Sequence, residues 1–172
     1  MTTAELLLQD FDIEMSNTRR TLERVPEGKE AFVPHEKSMA MGRLAMHCAT
    51  LPLFGSYIIL DEGMDMANST RPRIDLVFKS RQETLDRFDA SVKACRDALA
   101  GASDETLAAT WRFSFGPQEI SSSPRSLSFR AMFFNHLVHH TAQLGVYLRL
   151  NGLPVPALYG PSADEQWVAA GS

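Results

Sequence analysis

His136 and His140 stand four residues apart in a stretch free of proline. On a helix, that spacing puts both side chains on one face with Cβ atoms about 5–6 Å apart, so their imidazoles can reach one divalent ion at roughly 2.0–2.1 Å. Two ligands alone bind weakly, and a third must come from another element. His47, between Leu44 and Leu51, is the one other histidine on an apolar, core-facing stripe. Taken alone, it reads more simply as a satisfied core residue. Phe129, Phe133, Leu137, Leu144 and Leu148 flank the histidine pair, so that face is buried too. Burying three imidazoles together is costly unless a cation satisfies them. The expected metal ligands are therefore His47, His136 and His140, on two helices that face each other.

Gln143 lies one turn beyond His140. Its amide either orients a ligand or substrate, or it is an ordinary polar helix residue. His139, about 60° around the axis from His136, is left out of the ligand set, and His35 beside Pro34 reads as a loop residue. Cys48 is turned about 100° from His47 and away from the metal. Leu137 occupies the place where a zinc protease of the HExxH type needs its glutamate. No Glu-x-x-His supplies di-iron ligands, and no phosphate loop or GxSxG elbow is present. Three neutral imidazoles leave the ion its full charge and an open position, which favours hydroxide or thiolate as the next ligand.

The elements that must position these groups are helical. Leu7, Phe11, Met15, Thr18 and Leu22 form one stripe, predicting a helix over 4–24 that ends at Pro26 and Gly28. A second helix, capped near Ser38, carries Ala40, Leu44, His47, Leu51, Phe54 and Ile58 and closes at 61–63. Pro52 inside it predicts a kink or short break near Ala49. A polar exposed connection follows. Leu85, Phe88, Val92, Cys95 and Leu99 then mark a third helix over 79–100, and Ser103 caps a short turn. The alternation Trp111, Phe113, Phe115 predicts a small extended excursion over 111–124 with a turn at Gly116 and Pro117. A fourth helix runs unbroken over 126–150 and stops at Asn151 and Gly152. This is an all-α pattern, a four-helix bundle with long crossover connections, in a single domain spanning 1–172. Its tail, 151–172, is too apolar and proline-rich to be free and is expected to pack on the bundle, fraying past Asp164.

Composition narrows the function. With 17 basic and 21 acidic residues, the net charge of −4 offers no field for nucleic acid. The longest apolar stretch, Leu51 to Leu60, holds Pro52, Gly55 and Ser56 and is too short for a membrane span. Without a basic leader segment, the cytoplasm is the expected location. Cys48 and Cys95 make neither a disulfide framework nor a zinc knuckle.

Several stretches together resemble the DinB-like superfamily, also known as YfiT-like bundle proteins. They are Pro34 to Ser38, Gly42-Arg-Leu44 with His47 and Leu51-Pro52, and Asn135-His136 with His140, Gln143 and Leu144. The tail adds Gly152-Leu-Pro-Val-Pro156, Tyr159-Gly-Pro161 and Ala163-Asp-Glu165. The ordered set of histidines and glutamine is the specific part. The resemblance implies a four-helix bundle holding a divalent ion, often nickel or zinc, on the positions of His47, His136 and His140, and commonly a homodimer. It also implies a small-molecule reaction, thiol-dependent S-transfer, in which the metal activates a low-molecular-weight thiol and Gln143 is a positioning group. Many members carry Arg-Gly where this chain has Thr141-Ala142, which removes any substrate contact made by that arginine. The residues leave two other readings open. One is a metal-dependent hydrolase with Glu36 or Asp61 as base. The other is a non-enzymatic metal-binding or dimerisation module.

Overall fold

The computed structural model describes residues 1–166. Helix α1, Thr3–Leu22, opens with a capping box: the Thr2 hydroxyl accepts from the Glu5 backbone N–H and the Glu5 carboxylate accepts from the Thr2 N–H. Its predicted stripe of Leu7, Phe11, Met15, Thr18 and Leu22 is buried throughout. Helix α2 spans Met41–Leu60, α3 spans Arg81–Ala100 behind a Ser80 cap, and α4, Asp104–Ala108, is the short turn capped by Ser103. The last long helical run is composite. It consists of α5, Arg125–Ser128, a π-helical turn, Phe129–Phe134, and α6, Asn135–Leu150.

Helices α1 and α2 each pack mainly against α3 and α6 and meet each other only narrowly. The two helices that carry histidines are therefore direct neighbours. Helix α2 lies at the centre, buried on most sides, because its polar content is too low to cover a solvent face. It is long and apolar enough by composition to cross a membrane, but most of it is enclosed by the rest of the chain.

The structure corrects the sequence reading in five places. First, the fold is mostly helical but not all-α. Strand β1, Gly63–Asp65, runs parallel to β2, Thr110–Phe115, which pairs antiparallel with β3, Gln118–Pro124. The predicted excursion over 111–124 is the β2–β3 hairpin, and Gly116 takes the positive φ of +57° that its tight turn requires. Strand β1, with only three residues, is too short to show a period. It exists because β2 offers it a backbone edge.

Second, of the kink or short break expected near Ala49 the break does not occur, since α2 is continuous through Pro52. Leu51, Pro52, Gly55 and Ser56 are all buried around it, so packing holds the turn that proline weakens. Third, Ser38 does not cap α2. The Met41 and Gly42 N–H groups donate instead to the Phe32 and Glu30 carbonyls at 2.9 Å. That close approach needs glycine, since a Cβ on Gly42 would lie 2.7 Å from the Cβ atoms of Glu30 and Phe78.

Fourth, the run from Arg125 to Leu150 contains a π turn, in which the Asn135 N–H donates five residues back to the Arg130 carbonyl. One extra residue in that turn lets Phe129, Phe133 and Phe134 all face the core, where Phe129 and Phe133 meet edge to face at 4.9 Å. Fifth, the tail is tied down by ion pairs as far as the residue where fraying was expected to start. Asp164 pairs with Arg149, and Glu165 pairs with Arg20 and Arg24. The rest of the expected frayed end lies outside the described residues. The tail otherwise packs as expected. Gly152 at φ +71° and the Leu153 N–H donating to the Leu148 carbonyl end α6, and Pro156 is buried.

Candidate metal centre

The centre lies between α2 and α6. His47 projects from the middle of α2. His136 and His140 project from the first two turns of α6, directly after the π turn. The Nε2 atom of His136 is 2.8 Å from Nε2 of His140 and 3.4 Å from Nε2 of His47. One ligand atom from each of the three histidines falls within 4.8 Å of the others.

The far sides of two rings are tied down. Nδ1 of His136 lies 3.2 Å from the Met132 carbonyl oxygen, and Nδ1 of His140 lies 2.7 Å from Oε1 of Gln143. A carbonyl oxygen can only accept, so each Nδ1 carries the proton and each Nε2 presents a lone pair. Two lone pairs then confront one another at 2.8 Å with no hydrogen between them. A cation seated at the apex above both lone pairs complements that arrangement. The spacing also fits. Two nitrogens held at roughly 2.0–2.1 Å from one ion sit about 2.9 Å apart at a right angle and about 3.3 Å apart at a tetrahedral angle.

The electrostatics agree. Burial, with the other two histidines and Arg43 adding to it, pulls the His47 pKa down from 6.5 to about 4. Burial likewise lowers His136 and His140, against the smaller opposing effect of their Met132 and Gln143 hydrogen bonds. All three rings are therefore neutral at pH 7, the state that binds metal. A testable consequence follows for chelator-treated protein. Below pH 6.5 the unfolded chain takes up protons that folded His47 refuses until about pH 4. This contribution to stability is thus fully present above 6.5 and is lost as pH falls through that window. The thermal midpoint is expected to drop between pH 6.5 and 4, and His47→Gln is expected to flatten that slope. An identical slope in the variant would contradict the assignment.

His47 and His136 reach the wall of a cleft of about 660 Å³, whose sides are mostly apolar, including Phe54, Met64 and Phe113. Edge-to-face contacts of Phe54 with Trp111 and Phe113, at 6.2 Å each, fix the sheet over α2 and so form that wall. His140 lies behind the other two, buried against Gln143.

A model of the DinB family matches residues 1–168. The chain belongs to the DinB family. Over 170 residues, 98% of this chain and 95% of the relative, it is 26% identical to the Bacillus subtilis protein YrdA, which is described as uncharacterized. Among solved structures, it is similar to a DinB-like protein from Bacillus cereus, with a TM-score of 0.64 and 22% identity, covering 88% of this chain and 95% of that one. The DinB-like protein YjoA from Bacillus subtilis aligns with a TM-score of 0.64 and 16% identity, over 94% of this chain and 99% of its own. These identities speak for a shared DinB-like fold alone.

The structure brings the three predicted ligands of this DinB-family chain together and sets Gln143 on the far nitrogen of one of them. His139 and His35 are exposed, as expected of residues outside the set. Cys48 is fully buried, its thiol is pushed up to about 12 by burial, and it is not among the clustered ligand atoms. Asp61, named as a possible base, is held in a two-pronged ion pair by Arg71. Sequence reasoning missed the Met132 carbonyl, which no side chain announces, and the cleft, which depends on where the sheet packs.

Proposed function

We propose that this DinB-family protein is a divalent-metal-dependent thiol S-transferase acting on small molecules. What supports the reading most is the convergence of three neutral imidazoles, two of them, His47 and His136, at the wall of an apolar cleft. His47, His136 and His140 would hold the ion, zinc or nickel, and an ion bound there would supply the Lewis acidity that converts a low-molecular-weight thiol into its thiolate at neutral pH. Met132 and Gln143 keep the proton on Nδ1 of their histidines, so both rings bind through Nε2. Phe54, Met64 and Phe113 hold the body of the electrophile and exclude water from the sulfur. Overall, one C–S bond forms, the leaving group departs with its electron pair, and the thiol proton goes to solvent.

The assembly belonging to this reading is a cytoplasmic homodimer. Water activation is disfavoured because Asp61 is paired with Arg71 and neither it nor Glu36 lines the cleft. The test compares zinc- or nickel-loaded protein with chelated protein on a panel of thiols and electrophiles. Conjugation accelerated only by loaded protein supports the proposal. Equal rates would overturn it, as would ester or amide turnover by loaded protein without any thiol.

A further inference from the structure

From the charge distribution of the cleft we infer that its second substrate, the electrophile, is an apolar molecule bearing one carboxylate. This builds on the S-transfer reading by naming the class of its acceptor. Among the described residues, the cleft is lined by two arginines, Arg71 and Arg73, and by no aspartate or glutamate. Both come from the irregular connection between β1 and α3, opposite the helices that carry His47 and His136.

The two arginines differ. Arg71 is committed: its guanidinium pairs with Asp61 and lies 4.2 Å over the ring of buried Tyr57. Arg73 is exposed and makes no ion pair or hydrogen bond with any described residue, so among these residues no carboxylate competes for its guanidinium at the cleft. A planar guanidinium in that state matches a carboxylate in both charge and geometry.

The surfaces between the arginine and the histidines decide which substrate carries the anion. Thr50, Tyr57 and Ser69 add hydroxyls, but most of the lining, with Leu51, Phe54, Met64, Ile74, Leu76 and Phe113, offers a polar, low-molecular-weight thiol nothing to hydrogen-bond. They suit an aliphatic or aromatic body instead. The thiol needs only the metal face, and the apolar walls with Arg73 are left for the acceptor. At about 660 Å³ the cleft falls within the size range of sites that enclose a whole small ligand.

The experiment uses 4-phenylbutyrate and its neutral counterpart 4-phenylbutanamide, titrated calorimetrically into chelated full-length protein at low salt. The chelated form removes any attraction of the carboxylate to metal. The acid is expected to bind about tenfold more tightly than the amide, an advantage eroded by 0.5 M salt. Arg73→Gln is expected to abolish that preference and leave the affinity for the amide unchanged. Because Arg73 is exposed, the fold tolerates the change. Equal affinities in wild type, a preference that survives Arg73→Gln, or binding of neither probe would overturn the inference. The readout is independent of catalysis. A carboxylate preference without conjugation by loaded protein would overturn S-transfer alone, and conjugation without the preference would overturn only this assignment.

Discussion

His136→Ala is expected to lower zinc affinity by roughly 10²- to 10³-fold. A four-ligand structural zinc site contributes about 10–16 kcal/mol in total, so each ligand carries about 2.5–4 kcal/mol, and every 1.4 kcal/mol is tenfold. His136 is the ring common to both short nitrogen contacts, to His140 at 2.8 Å and to His47 at 3.4 Å, so its loss leaves the other two without a shared apex. Gln143→Leu is expected to act more mildly, by about 10- to 100-fold, since it frees the His140 ring without removing it. Competition against a chromophoric chelator reads both.

Thermal unfolding separates ligation from packing. Zinc at a hundred times its dissociation constant adds about 2.7 kcal/mol, which for a chain of this size raises the midpoint by roughly 5–11 °C. Wild type is expected to show that rise and His136→Ala to lack it. Equal metal content in the two proteins would remove the metal centre altogether.

Gly55→Ala is expected to destabilise the protein by about 1–3 kcal/mol, whereas Gly145→Ala stabilises it by up to about 1 kcal/mol. Both glycines lie inside helices, where alanine is ordinarily the better residue. The difference is space. A Cβ on Gly55 would lie 2.7 Å from Cδ1 of Phe133 and 2.9 Å from Sγ of Cys95, both deep in the core. A Cβ on Gly145 meets only Cγ1 of Val155 at 3.6 Å, an ordinary contact. Denaturant titration is expected to move the two midpoints in opposite directions, and a common sign would refute the packing argument. Phe133 also lies in the π turn three residues before His136, so Gly55→Ala is expected to weaken metal binding while leaving every ligand in place. Unchanged affinity would show that the core contact and the site are independent.

Much of this was legible from side-chain type and spacing. The stripe from Leu7 to Leu22 gave α1 to within two residues at its C-terminal end, and the i,i+4 pair with a lone apolar-face histidine picked out the three rings that converge. What could not be read depends on backbone partners far away in sequence. Strand β1 exists only because Gly63, Met64 and Asp65 find Arg112, Phe113 and Ser114. The start of α2 is closed by the carbonyls of Glu30 and Phe32 rather than by a capping side chain. The composition of the 66–77 segment announces an exposed connection, yet its packing makes it one wall of the cleft.

The wide turn at Phe129–Phe134 sets the aim of everything after it. If the same residues wound at the ordinary pitch, the extra residue would swing the downstream stretch by about 100°. Both imidazoles of α6 would then point away from His47, although no ligand had been altered. In this chain the ability to grip an ion is therefore encoded partly in how the backbone winds ahead of the pair, which inspecting the three histidines alone would miss.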